Sequence, residues 1–185
     1  MRLEHLQHLI GAAAGITEES DFIVIGSQAI LATHPDAPEE LLVSMEADVY
    51  PREAPHKADE IDGVLGDGSS FQQTYGYYAH GVGPETARAP AGWEARLVAV
   101  TVPPRPGATR GAVAWCLEVH DLVLAKCAAG RPRDWEFARV ALATGVVEAQ
   151  TLLPRVADLP LNDGHRAHIA SVLTGIVADL GLTAA

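Results

Sequence analysis

The chain has 185 residues, 48% of them hydrophobic and 20% charged, which is enough apolar material for one domain with a sizeable core and excludes a disordered tail. Thirteen Lys and Arg stand against 24 Asp and Glu, a formal charge of −11, which argues against gripping nucleic acid over a broad surface and leaves room only for a small basic site. Two cysteines, Cys116 and Cys127, make neither a disulfide scaffold nor a zinc site. Glu4, His5 and His8 interrupt the stretch in which a leader would need unbroken apolar residues, and no segment approaches the roughly 18 apolar residues of a membrane span. A cytoplasmic protein that does not engage a membrane is the expectation.

Leu3, Leu6, Leu9, Ile10 and Ala13 recur at helical spacing, so residues 3–14 are predicted to form an amphipathic helix ended by Gly15. Phe22-Ile23-Val24-Ile25 reads as a short buried strand, followed at once by a Gly26-Ser27 turn and a helix beginning near Gln28. The two prolines of HPDAPEE mark a loop. From Met45 to Tyr50 polarity alternates, with Glu46, Asp48 and Tyr50 on one face of a second strand that Pro51 stops. A helix is predicted over 56–65, with Ala58, Ile61 and Leu65 inward, then a Gly- and Ser-rich loop. The middle reads as β-rich, with strands at 75–80, 96–102 and 112–117 and a PPRPGATRG loop between the last two. After Glu118 helices are predicted at 119–129, 133–144, 148–157 and 163–180. The plan is α+β: a short mixed sheet flanked by helices (residues 1–118) and a C-terminal helical bundle (119–185), packed as one compact unit.

Glu46 and Asp48 project from one strand face with Cα atoms roughly 6–7 Å apart. Carboxylates that close repel, and a cation between them keeps both ionised. Mg²⁺ suits hard oxygen ligands and is commonly shared between one or two carboxylates and substrate phosphates. Gly26 lets the backbone approach such phosphates, the start of the following helix offers N–H groups to an anion, and the Ser27 hydroxyl adds a donor.

A Gly-Ser turn after a buried strand, followed by an acidic-x-Asp strand, resembles the nucleotidyltransferase superfamily. More narrowly, GSQAIL, EELLVSMEADVYP, FQQTYGYYAHGVGPETA and CLEVHDLVLAKCAAGRPRD are similar to small bacterial stand-alone proteins related to abortive-infection (AbiEii-type) toxin nucleotidyltransferases. The resemblance covers roughly residues 20–140. It implies a nucleotidyltransferase-like fold and Mg²⁺-dependent transfer of a nucleoside monophosphate from an NTP to a hydroxyl on an RNA end or a protein. It implies that Glu46 and Asp48 hold the metal as catalytic residues and that Gly26 and Ser27 contact the nucleotide. Lys126, with Arg131 or Arg133 in the Arg131-Pro132-Arg133-Asp134 run, would steady the phosphates, Lys126 also being catalytic.

Two features depart from that pattern. Glu46 stands where Asp is more usual, and strand 96–102 has no acidic residue, leaving Glu94, Glu118 and Asp121 as third-carboxylate candidates by proximity alone. A catalytically silent nucleotide- or partner-binding member of the same fold, paired with an antitoxin or other partner protein in a defence system, is therefore the alternative reading. A structural module whose helical tail forms a homodimer is a third.

Duller readings compete at each position: Gly26-Ser27 as an ordinary turn, Glu46 and Asp48 as a wet strand face, Lys126 as a snorkelling side chain, and Arg131 to Asp134 as a helix start. Tyr75, Tyr77 and Tyr78, with His80 and Gly81, read first as packing of a β-ribbon and second as cleft lining. The pairs His5/His8 and His165/His168 read as surface histidines. Dinucleotide and P-loop glycine patterns are absent, and Ile25 stands where a hydrolase nucleophile elbow wants a small residue.

Overall fold

The computed structural model describes residues 1–104 and 111–182. The middle of the predicted PPRPGATRG loop, 105–110, lies outside the described residues. Five strands form one mixed sheet in the order β3-β2-β1-β5-β4: β1 (Asp21–Val24), β2 (Glu46–Pro51), β3 (Tyr78–Gly81), β4 (Val98–Val102) and β5 (Ala112–Cys116). The apolar run predicted as a buried strand is the middle strand, paired antiparallel with β2 and parallel with β5. Phe22, Ile23 and Val24 are all buried, as a strand covered on both faces requires. Beyond it, β2 and β3 run parallel, and β4 and β5 antiparallel.

Helices α1 (Leu3–Thr17) and α3 (Ala58–Leu65) cover one face of the sheet, α1 against β4 and β5, α3 against β2 and β3. Ala58, Ile61 and Leu65 are buried as predicted. Gly81 permits the close seat of α3, because a Cβ there would run into the Ala58 carbonyl. The first helix runs past Gly15 and ends at Glu18, whose positive φ of 61° lets its N–H reach the Ala14 carbonyl. The predicted helix after Ser27 is a 3₁₀ turn, Ser27–Ala32, and the HPDAPEE loop ends in a one-turn helix, α2 (Glu39–Leu42).

The stretch read as loop and early strand holds another helix, α4 (Ser70–Tyr75). Ser69 caps its start by accepting the Gln72 N–H, and Gly76, at φ 79°, ends it. Strand β3 accordingly begins three residues later than predicted. The four helices after Glu118 lie where the sequence places them: α5 (Val119–Ala129), α6 (Pro132–Ala143), α7 (Ala149–Arg155) with a 3₁₀ extension to Asp158, and α8 (Asp163–Asp179). Helix α5 packs on the Ser27–Ala32 turn and on α6 and α7, while α6 also meets α2. This arrangement sets the α5–α6 corner beside the β1–β2 end of the sheet. Among the described residues no helix is long and apolar enough to cross a membrane.

Candidate active site

Strand β2 points alternate residues to opposite faces. Ala47 and Val49 lie fully buried under α3, and Glu46 and Asp48 therefore emerge on the other face. The parallel register pairs Glu46 with Tyr78 and Asp48 with His80, so those four side chains share that face. The Tyr78 hydroxyl donates to Glu46 Oε2 at 2.6 Å, and this bond pushes the phenol up to about 12. The bond also holds the longer Glu46 side chain in place. His80 Nδ1 lies 3.2 Å from Asp48 Oδ1 and 3.5 Å from Glu46 Oε1.

Gly26 follows β1 directly, and Ile25 donates its N–H to the Asp48 carbonyl at 3.1 Å. A Cβ at position 26 would overlap the Asp48 carboxylate, so only glycine lets the turn lie against that acid. The Asp48 carboxyl sits above the usual carboxylate range, first because burial disfavours its charge and second because Glu46 repels it.

The opposite wall is basic, and its corner follows from sequence. Gly130, at φ 69°, ends α5 by donating to the Lys126 carbonyl, and Pro132 starts α6. Asp134, in the first turn of α6, is 0% exposed. It accepts the Arg131 backbone N–H at 3.2 Å and the Arg131 Nε at 2.7 Å, and lies 3.5 Å from Lys126 Nζ. Burial works to raise its carboxyl, but Arg131 and Lys126 outweigh burial and hold it below the ordinary range. Lys126 is largely covered, with Nζ 4.6 Å from the Phe137 ring centre, and burial pulls its ammonium down. Arg131 is held above its ordinary value by Asp134 first and also by Asp48 and Glu46 across the gap. Arg133 makes no ion pair among the described residues.

The two walls enclose one cleft of about 930 Å³, lined by Gly26, Ser27, Glu46, Asp48, Tyr78, His80, Lys126, Arg131 and Arg133 among others. Gly26, Ser27, Glu46, Asp48, Lys126, Arg131 and Arg133, to which the sequence reading gives nucleotide, metal or catalytic roles, thus line a single cavity. The third-carboxylate candidates do not. Glu118 and Asp121 are bound by Arg155 and Arg96, and Glu94 lies on the 3₁₀ turn Trp93–Arg96. The group beside Glu46 and Asp48 is His80. Of the tyrosines, only Tyr78 reaches the cleft. Tyr75 and Tyr77 join Phe71, His5 and His8 in a separate ring cluster, His5 stacking on Tyr77 at 4.4 Å, so those two histidines are packed rather than simply exposed. Sequence reasoning included Asp134 in the Arg131-to-Asp134 run without giving it a role in the site, and read His80 first as packing and second as cleft lining. The available signals were a second polar-x-polar pair, Tyr78 and His80, on a short strand, and an acid three residues beyond Arg131.

Glu46, Asp48 and His80 each offer a ligand atom, all within 4.8 Å of one another. Mutual repulsion at Asp48 and convergence of donors on one spot both fit a divalent cation, the kind of cofactor nucleotidyltransferases usually employ. Neither thiol lines the cleft, and burial pushes Cys116 and Cys127 up to about 12. Compared with known families, residues 1–160 match the model of one described as nucleotidyltransferase of unknown function (DUF6036). No curated protein and no solved structure matches the chain.

Proposed function

The chain belongs to that family of nucleotidyltransferases, and from this premise we propose that the cleft transfers a nucleoside monophosphate from an NTP to an acceptor hydroxyl. The observation that carries the reading is the pairing, across one cavity, of the Glu46–Asp48 wall with the Lys126–Arg131–Arg133 wall. A triphosphate with its counter-cation needs both signs of charge at close range. Glu46 and Asp48 hold the cation, Mg²⁺ by the hardness of their oxygens. When bound, that cation neutralises phosphate charge and polarises the phosphorus under attack.

The remaining work falls to the chain. Gly26 keeps the turn flush with Asp48, and Ser27 offers its hydroxyl to the phosphates. Lys126 is fixed by Asp134 and gives a point charge, while Arg131 and Arg133 give planar forks at the mouth of the cleft. Asp134 acts through Lys126 and Arg131 and is a positioning residue. The acceptor oxygen bonds to the α-phosphorus, the bond to the bridging oxygen breaks, and pyrophosphate leaves carrying the electron pair. The acceptor proton passes to a base in the cleft or to water.

The resemblance of the motif runs to AbiEii-type toxins favours an RNA end as acceptor, within a toxin–antitoxin or phage-defence setting, and a protein hydroxyl is the other candidate. The acidic charge of the chain confines any RNA contact to the basic corner. In this reading residues 1–118 form the catalytic core, and the helical region 119–185 supplies the basic wall. None of Glu94, Glu118 and Asp121 lines the cleft, and the group beside Glu46 and Asp48 is His80; a site with two converging carboxylates favours, as second reading, a silent member that binds nucleotide without transferring it.

The test is transfer of α-labelled NTPs to an RNA pool and to protein, with pyrophosphate release followed in parallel. Label on an acceptor that disappears in the Glu46→Ala, Asp48→Ala double variant supports the enzyme. Nucleotide binding without label transfer supports the silent member.

A further inference from the structure

We infer that His80 is a third metal ligand of the cleft, and that its nitrogen tilts the site away from Mg²⁺ toward a first-row transition dication such as Mn²⁺. The inference rests on the reading of Glu46 and Asp48 as metal ligands. Parallel pairing of β3 with β2 sets His80 directly beside Asp48 on the cleft face. Its Nδ1 is directed at both acids, 3.2 Å from Asp48 Oδ1 and 3.5 Å from Glu46 Oε1. Among the described residues this is the one group of three or more His, Cys, Asp and Glu side chains whose donor atoms converge closely enough for an ion. Tyr78 secures Glu46 from the other side through Oε2, which leaves Oε1 turned to the His80 nitrogen.

Chemistry then separates the ions. Mg²⁺ prefers an all-oxygen shell and gives up water reluctantly, so an imidazole adds little to its binding. Imidazole suits the first-row transition metals, whose affinity for mixed nitrogen and oxygen sites rises along the series from Mn²⁺. A third carboxylate would have kept the site hard. His80 makes it borderline.

Calorimetric titration of the nucleotide-free protein with Mn²⁺ and with Mg²⁺ tests this, joined to pulsed electron paramagnetic resonance of the Mn²⁺-loaded protein. Mn²⁺ is expected to bind about tenfold or more tightly than Mg²⁺, and to show hyperfine coupling to a ligand nitrogen. His80→Ala should weaken Mn²⁺ by about tenfold or more, abolish the nitrogen coupling and change Mg²⁺ binding only about twofold. His80→Asp should remove the coupling while narrowing the gap between the two ions, which also guards against a folding defect in the alanine variant. Unchanged Mn²⁺ affinity in both variants, or no nitrogen coupling in the wild type, overturns the role of His80 while leaving the acids as ligands. Failure of the wild type to bind either ion overturns the metal reading of the cleft as a whole.

Discussion

Glu118 and Asp121 at the start of α5, and Glu46 and Asp48 on β2, are both pairs of neighbouring acids, yet their surroundings differ in kind. The α5 pair is saturated. Arg155 Nη1 reaches Glu118 Oε2 at 2.5 Å and Asp121 Oδ1 at 3.0 Å, and Arg96 Nε reaches Asp121 Oδ2 at 2.7 Å. His120 accepts the Glu148 N–H on Nε2, so its Nδ1 carries the proton and donates to Glu118 at 2.6 Å. Fixed cations there tie α7 and the Trp93–Arg96 turn to α5. Among the described residues, the β2 pair has one hydroxyl and one imidazole as neighbours and no arginine within ion-pair distance. Acids matched by built-in cations hold a fold together, whereas acids left facing one another store repulsion that a bound cation releases.

The largest effect that sharpens this contrast is expected at Asp121, which is wholly buried. Asp121→Ala leaves Arg96 and Arg155 facing an empty site and should cost about 3–5 kcal/mol in urea unfolding. Nucleotide binding by the protein that stays folded should persist. A loss below about 1 kcal/mol would break the contrast from the structural side.

Acid titration comes next. Burial alone would raise the Glu118 carboxyl, but His120 and Arg155 hold it at about 2, against an ordinary 4.5. A depressed value means that the stabilisation is complete above about pH 4.5 and is lost as pH falls toward 2, amounting to about 3 kcal/mol. Asp48 runs in the opposite sense: its raised carboxyl favours the folded state below the ordinary value of 3.8, and that benefit disappears as pH rises through the folded value. Glu118→Gln should therefore flatten the acid limb of the stability curve, and Asp48→Asn should lift stability at neutral pH.

Gly26→Ala forces a methyl group onto the Asp48 carboxylate and should cost about 1–3 kcal/mol, with loss of nucleotide binding. The smallest stability change belongs to Glu46→Ala with Asp48→Ala. It should lie within about 1 kcal/mol of wild type and trend toward a gain, because repulsion is removed. A loss of several kcal/mol would place these acids with the structural pair.

Much of this was legible in the chain. The β-branched run before Gly26, the alternation through Glu46 and Asp48, and the Gly130-to-Pro132 break each encode an element locally. Helix α4 was hidden because Tyr75-Gly76-Tyr77-Tyr78 has strand propensity, while the cap at Ser69 and the left-handed Gly76 decide the outcome. His80 was hidden for another reason. Its place beside Asp48 is set by the parallel register of two strands about 30 residues apart, a pairing that no local pattern encodes. Proximity in sequence favoured Glu118 and Asp121, and the arginines that neutralise them come from Arg96 and Arg155, equally remote in the chain.

The most direct measurement is calorimetric titration of the wild type and of the Glu46→Ala, Asp48→Ala protein with each of the four NTPs, with Mg²⁺, with Mn²⁺ and without a dication. Cation-dependent binding of at least one NTP to the wild type, lost in the double variant at unchanged stability, is the predicted result. Absence of binding to all four, or binding indifferent to both the cation and the two acids, would contradict the account and return Glu46 and Asp48 to the status of a solvated strand face.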